Sequence, residues 1–243
     1  MEVERKYFAL CAPAELTARL GALGARVVSV DEFEDEYFDR PTPSLIVANT
    51  WLRRRAGAWE LKLPQPAARG AAAVFREVAG AAAILRELGR AADMSTELDG
   101  LEDALGVAPF ARFATRRTRL ALGDCSVDVD EVRYADEPMC FVEIERMCGG
   151  AADTVDAAHE SIDAAAAPLL AAALLTPAAN TCGKVEEYIR RFCPAHHAAL
   201  TRAGLSTATG AESCGAACVR RTAASAAAAV PLVRAGLPIT VTG

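Results

Sequence analysis

Glu2, Glu4 and Lys6 stand at alternate positions of the opening segment Glu-Val-Glu-Arg-Lys-Tyr. In an extended chain, residues two apart share a face. Two carboxylates and an ammonium would then point the same way. One such strand is easily read as the wet face of an ordinary sheet. The pattern recurs, however. Asp128 with Asp130 and Glu143 with Glu145 are further acids in phase, and Lys62 and the pairs Arg53/Arg55 and Arg117/Arg119 are bases in phase. The residues between them are mainly apolar. If those apolar faces pack outward on helices, the charged faces must look inward, where mixed charge is costly unless paired or filled. Bases in this number suit a phosphate chain, because Arg grips phosphate oxygens with its fork and Lys acts as a point charge. Clustered carboxylates suit Mg2+ or Mn2+, hard cations that prefer oxygen and bridge phosphates. The chemistry read here is a divalent metal between Glu2 and Glu4, with phosphate beyond it.

The elements that must position these groups follow from periodicity. Met1–Leu10 reads as a strand, and Ala14–Leu23 as a helix started by Pro13 and closed by Gly24. Val27–Asp39 is extended, and Pro41 and Pro43 break it. The run Thr-Trp-Leu-Arg-Arg-Arg-Ala-Gly-Ala-Trp-Glu-Leu-Lys-Leu-Pro is a hairpin turning at Gly57, with Trp51, Arg53 and Arg55 in phase and Glu60 and Lys62 alternating with Leu61 and Leu63. Pro64–Ala72 reads as a loop and Val74–Val78 as a strand. Ala81–Leu88 and Glu97–Leu105 read as helices. Phe113–Tyr134 is a second hairpin turning at Gly123-Asp124. Met139–Met147 is a strand, Asp153–Leu175 a long Ala-rich helix, and Lys184–Phe192 and His196–Ala203 a closing helical pair split by Pro194. The expected fold is α+β: about eight antiparallel strands closed into a β-barrel, with helices packed outside. It spans residues 1–204. Residues 205–243, small and without periodicity, are expected to be a disordered tail.

Composition narrows the function classes. The chain has 243 residues, 52% hydrophobic and 24% charged, with a net charge of −6, which argues against a general nucleic-acid binder. No apolar run approaches the roughly 18 residues of a membrane span, and no signal-like segment opens the chain, so a cytoplasmic protein is expected. The eight cysteines are scattered and read as reduced thiols, and Cys214 with Cys218 forms a lone C-x3-C that makes a poor zinc site. His159, His196 and His197 fall on expected helices away from the charged faces. A closed barrel has few free strand edges, which favours a monomer.

With these residues in view, Glu2-x-Glu4-x-Lys6 resembles the signature of the CYTH superfamily, the triphosphate tunnel metalloenzymes. DEYFDRPTPSLIVANTWLRRRAGAWELKLP, VDVD, FVEIE and GKVEEYIRRF follow in that superfamily's order, and the wording is closest to its animal-type thiamine triphosphatases. The resemblance covers roughly Met1 to Gly204. It implies a closed eight-stranded tunnel that holds triphosphate and metal. Glu2, Glu4, Asp128, Glu143 and Glu145 match metal-ligating positions, with Mg2+ the implied ion and Mn2+ a substitute. Lys6, Arg53, Arg55, Lys62, Arg117 and Lys184 match phosphate-binding positions. Tyr37 matches a tyrosine placed near Lys62, the pair that would protonate or position the leaving oxygen, though it could be a half-buried aromatic. Trp51 matches a tryptophan that stacks on thiamine, though it could be core packing. Asp130 and Glu77 face the same way and read as ligand partners or salt-bridge partners. Arg119 departs from the thiamine triphosphatase pattern and resembles more general tunnel enzymes. The implied activity is Mg2+-dependent hydrolysis of thiamine triphosphate to thiamine diphosphate and phosphate. Inorganic tripolyphosphate hydrolysis, nucleotide cyclisation and polyphosphate binding without turnover are the alternatives.

Overall fold

A computed structural model describes residues 2–65, 74–89, 100–149, 154–177 and 183–206. The strands are β1 (Glu2–Ala9), β2 (Arg26–Asp39), β3 (Trp51–Arg55), β4 (Ala58–Pro64), β5 (Val74–Ala79), β6 (Ala108–Leu122), β7 (Cys125–Arg133), β8 (Met139–Met147) and β9 (Leu175–Pro177). The helices are α1 (Pro13–Ala22), α2 (Ala81–Glu87), α3 (Leu101–Leu105), α4 (Val155–Ala171), α5 (Lys184–Phe192) and α6 (Pro194–Arg202).

The sheet order is β5-β4-β3-β2-β6-β7-β8-β1-β9, and a further β5–β1 pairing joins its ends. Eight antiparallel strands therefore close into a barrel, with β9 appended beside β1. The seam is set by Glu2 opposite Phe75 and Val3 opposite Val74. On its other side β1 runs against β8, with Glu4 opposite Glu145 and Lys6 opposite Glu143.

Alternation places many of the strands' apolar residues against the helices, although Val27, Val28 and Val30 of β2 stay exposed. Val3, Tyr7, Val127, Val129, Val142 and Ile144 pack on α1 and α4 through Leu16, Leu20, Ile162 and Leu169. Leu52, Trp59, Leu61 and Val78 pack on α2 and α3 through Ile84, Leu85, Leu101 and Leu105. Each such side chain contributes about 1.5–3 kcal/mol on burial. A third cluster lies inside one end of the barrel. There Phe8, Tyr37, Phe113 and Phe141 meet Val185 and Ile189 of α5 and Leu200 of α6. The last two helices thus close that end with an apolar floor.

The Gly57 and Gly123 turns stand where the sequence places them, both in the left-handed conformation. Several boundaries differ, among them the start of β6 at Ala108 rather than Phe113. The long helix stops at Ala171 rather than Leu175, because Ala173 adopts φ 52° and its own N–H and that of Leu174 turn back to the carbonyls of Leu170 and Leu169. This is a Schellman stop with alanine where glycine is usual, and it frees Leu175–Pro177 to pair as β9. The helix expected over 97–105 is seen as Leu101–Leu105, with 97–99 outside the described residues. The closing pair is split before Pro194 as expected, but the second helix begins at Pro194 itself rather than at His196, the proline taking its first turn. The expected tail, with Cys214 and Cys218, lies outside the described residues apart from Leu205 and Ser206. No described helix is long and apolar enough to cross a membrane.

Candidate active site

The inward faces of the strands surround a cavity of about 380 Å3. Lys6, Arg53, Arg55, Lys62, Arg117, Arg119 and Lys184 line it, and so do Glu2, Glu4, Glu60, Glu77, Glu143, Glu145 and Glu186, with Tyr37, Trp51, Phe75, Met147 and Val185 between them. Residues far apart in sequence meet here because the strand period brings every second side chain to the lumen. Of the residues singled out from sequence, all but Asp128 and Asp130 reach this cavity.

Among the described residues, Glu2, Glu4 and Glu145 form a candidate metal-binding group, each offering an oxygen within 4.8 Å of the others. Burial, together with the charges of Asp128 and Glu2 and against Arg119, pushes the Glu145 carboxyl up to about 8. Burial and Glu4 likewise raise Glu2, against the pull of Lys62. Carboxylates crowded this way hold protons that a cation would displace. The donors are all oxygen, so the set fits Mg2+ or Mn2+.

Asp128 and Glu143, the other two acids, stand apart from this triad. Asp128 is fully buried behind the bases. Arg119 donates to both its oxygens at 2.8 Å, and Arg117 also pairs with it. Glu143 faces the cavity, 3.1 Å from Arg117 and 3.6 Å from Lys184. Burial opposes its ionisation, but Lys184, Arg117 and Lys6 outweigh it and hold the carboxyl well below its ordinary range.

The bases are anchored from behind. Asp130, fully buried, takes two bonds from Arg117 at 2.7 and 2.6 Å and pairs with Lys184. Asp35, also fully buried, takes two from Arg55 at 2.7 and 2.8 Å. Glu60 accepts from Arg53 at 2.7 Å. Phe33 lies under two guanidinium groups, 4.1 Å from that of Arg55 and 5.6 Å from that of Arg117. Burial opposes the charge of Lys6, yet Glu4, Glu186 and Glu143 raise it above the ordinary lysine range. Lys62 is raised in the same sense by Glu4 and Glu2 against burial and Arg53. Lys62 pairs with Glu77 at 2.9 Å, whereas Tyr37 bonds to Arg53. The Trp51 indole lines the cavity edge-on to Tyr37, and its Nε1 donates to Asn49 at 3.0 Å.

Several contributors escaped sequence reasoning. Asp35 and Phe33 sit in phase with known lumen positions, so strand period could have found them, whereas Glu60 is placed in phase with Lys62 by the sequence but given no role there. Asp39 could not have been found so. Its carboxylate accepts from the backbone N–H groups of Arg40, Ser44, Leu45 and Ile46, fixing the loop that leads to Trp51. Gly183, before α5, is another. A Cβ there would come within 2.9 Å of Lys6 Nζ and 2.6 Å of Glu186 Oε2.

A family model described as the CYTH domain matches residues 1–172. The thiamine-triphosphatase of Macaca fascicularis is 31% identical over 218 residues, covering 82% of this chain and 89% of that protein. The thiamine-triphosphatase of Homo sapiens is 30% identical, covering 80% and 86%. Among solved structures, the PH1819 protein of Pyrococcus horikoshii is similar in fold at a TM-score of 0.53 and 17% identity, over 79% of this chain and 99% of that one. A putative adenylyl cyclase from Hippeastrum, described as revealing a dominant triphosphatase activity, superposes at 0.52 and 14% identity over 78% and 96%.

Proposed function

The chain belongs to the CYTH domain family, and from that premise we propose that it hydrolyses thiamine triphosphate to thiamine diphosphate and phosphate with the help of Mg2+. One observation carries this reading: a single cavity gathers an oxygen-only carboxylate triad and a ring of anchored bases. Lys6, Arg53, Arg55, Arg117 and Lys184 hold the phosphate oxygens. Their positions are fixed beforehand by Glu4, Glu60, Asp35 and Asp130, so little reorganisation accompanies the reaction. In a loose transition state, negative charge shifts onto the leaving bridging oxygen. Lys62, held firmly protonated, stabilises that oxygen as a cation better than it would donate a proton. Tyr37, bonded to Arg53, orients that guanidinium toward the phosphate chain. Glu143 is ionised and faces the cavity, so it is the group that orients the attacking water. Asp128 positions Arg117 and Arg119. Glu2, Glu4 and Glu145 would hold the metal, which when bound polarises phosphoryl oxygens. Trp51 offers an indole face to a cationic thiazolium.

Inorganic tripolyphosphate is the second reading, favoured by Arg119, which adds a further base at the cavity rim. The test is phosphate release from purified protein with Mg2+, comparing thiamine triphosphate, tripolyphosphate and ATP, with a chelator control. Preference for thiamine triphosphate, abolished by chelator, supports the proposal. Preference for tripolyphosphate replaces it with the second reading. No release from any of the three refutes both.

A further inference from the structure

Two carboxylates of the triad already meet a cation of the protein. Lys6 stands 3.4 Å from Glu4, and Arg119 stands 3.5 Å from Glu145. The two contacts differ in kind. An ammonium on a flexible stem can turn aside when an ion arrives, whereas a guanidinium gripped through two bonds stays where it is. Asp128 grips Arg119 in that way, because Nε and Nη2 of Arg119 both donate to it at 2.8 Å. The grip is built into the sheet: Asp128 lies opposite Arg119 on the neighbouring strand and is itself fully buried. The Nη2 that bonds to Asp128 is also the one that meets Glu145. A fixed positive charge therefore lies against one member of the triad. Arg119 also lines the cavity, with its side chain 40% exposed.

That charge acts with opposite sign on the two ligands of the cavity. It repels a divalent ion held by Glu2, Glu4 and Glu145, and it attracts phosphate oxygens. Arg117, the other base on Asp128, meets Glu143 instead and makes no contact with the triad among the described residues. We propose that Arg119 is a resident counter-cation of the triad, which keeps a divalent ion weakly bound in the empty cavity and strengthens the hold on a polyphosphate. The negative charge of the bound polyphosphate then offsets the repulsion, so the ion and the phosphate chain are held best together, each favouring the other by the same factor. The inference rests on the triphosphatase reading above for the two ligands. It deepens that reading by naming the residue that sets the balance between them.

Arg119→Gln removes the charge at a partly exposed position, where Arg117 remains to compensate Asp128. Arg119→Lys keeps the charge. Two affinities are measured on the purified protein. One is Kd for Mn2+ alone, from the spin-resonance signal of the free ion with no phosphate present. The other is Kd for tripolyphosphate in chelator, from calorimetry. In Arg119→Gln, Mn2+ should bind about tenfold more tightly, since groups that touch a metal's ligands move its affinity by about 10–100-fold. Tripolyphosphate should bind the same variant several-fold more weakly. In Arg119→Lys, Mn2+ affinity should stay within about threefold of wild type. The opposite movement of the two affinities is the signature, because a loosened barrel loses both. Mn2+ binding that is unchanged or weaker in Arg119→Gln overturns the proposal. So does tripolyphosphate binding that does not weaken, or equal tightening of Mn2+ in Arg119→Lys. Neither affinity depends on turnover. If the wild type releases no phosphate from any triphosphate, the hydrolase reading fails while the two affinities still decide the role of Arg119. If it hydrolyses them and Mn2+ affinity does not move, the hydrolase reading stands without this counter-cation.

Discussion

Removing the Asp130 carboxylate should weaken the fold and strengthen polyphosphate binding at the same time. Asp130 is fully buried and compensates two buried cations, Arg117 through two bonds and Lys184 through a third contact. In Asp130→Asn the shape is kept and the charge is lost. Asp128 still pairs with Arg117, and Glu143, 3.1 Å from Arg117 and 3.6 Å from Lys184, is the remaining acid beside both. Breaking a buried pair from one side typically costs about 3–5 kcal/mol, and the retained amide oxygen holds the loss near the lower figure. For a domain of this size that is a fall in Tm of roughly 6–12 °C. The released cations face a cavity shaped for polyphosphate, and a carboxylate no longer competes for them. Tripolyphosphate in chelator should therefore bind Asp130→Asn about tenfold more tightly than wild type, a difference of about 1.4 kcal/mol. Thermal melts with and without tripolyphosphate, alongside titration calorimetry, read both effects. A variant that loses stability yet binds tripolyphosphate equally or less well would falsify the assignment of Arg117 and Lys184 as phosphate ligands whose charge Asp130 holds in reserve.

Three further outcomes are expected. Glu4→Gln removes one arm of the carboxylate triad and should lower Mg2+-dependent turnover at least about a hundredfold while leaving the melting curve near wild type, since losing a metal-site group costs at least 10–100-fold; full activity would sink the metal assignment. Asp35 is held below its ordinary pKa because Arg55 outweighs the burial that opposes ionisation, so its stabilisation is present above about pH 4 and drains away as pH falls through its lower folded value. Asp35→Asn should be less stable at pH 7, and its gap from wild type should narrow below pH 4; a constant gap in urea melts across that range would contradict the buried pairing. Gly183→Ala forces its new methyl against Lys6 Nζ and Glu186 Oε2, so it should raise KM for the triphosphate several-fold with little change in Tm, and an unaltered KM would show that Lys6 yields without consequence.

How far the sequence led can be judged from particular residues. The lumen face was legible because period two is local: Glu2 with Glu4, Arg53 with Arg55 and Glu143 with Glu145 all share the face their spacing implies. The roles within that face were not legible. Asp128 and Glu143 look alike in the sequence, yet one is pinned by two arginines and the other meets the cavity. That difference depends on strand register between β6, β7 and β8, a non-local property. The stop of α4 was hidden because alanine fills a conformation that glycine usually marks. The Asp39 carboxylate and its four N–H partners were hidden because they satisfy a loop without period.

The first strand completes the ring, and this bears on how the molecule comes to exist. β1 pairs with β8 and β9, which lie far along the chain, and with β5, whereas β2 through β4 and β6 through β8 pair with sequence neighbours or with one another. During synthesis the first strand must wait for nearly all the others before it has a place. Long-range closures of this kind come late, after local hairpins have formed. Glu2 and Glu4 ride on that strand and Glu145 on its partner. The carboxylate triad is therefore born at the moment of closure, and an early, partly folded chain can neither grip the ion nor be rescued by it.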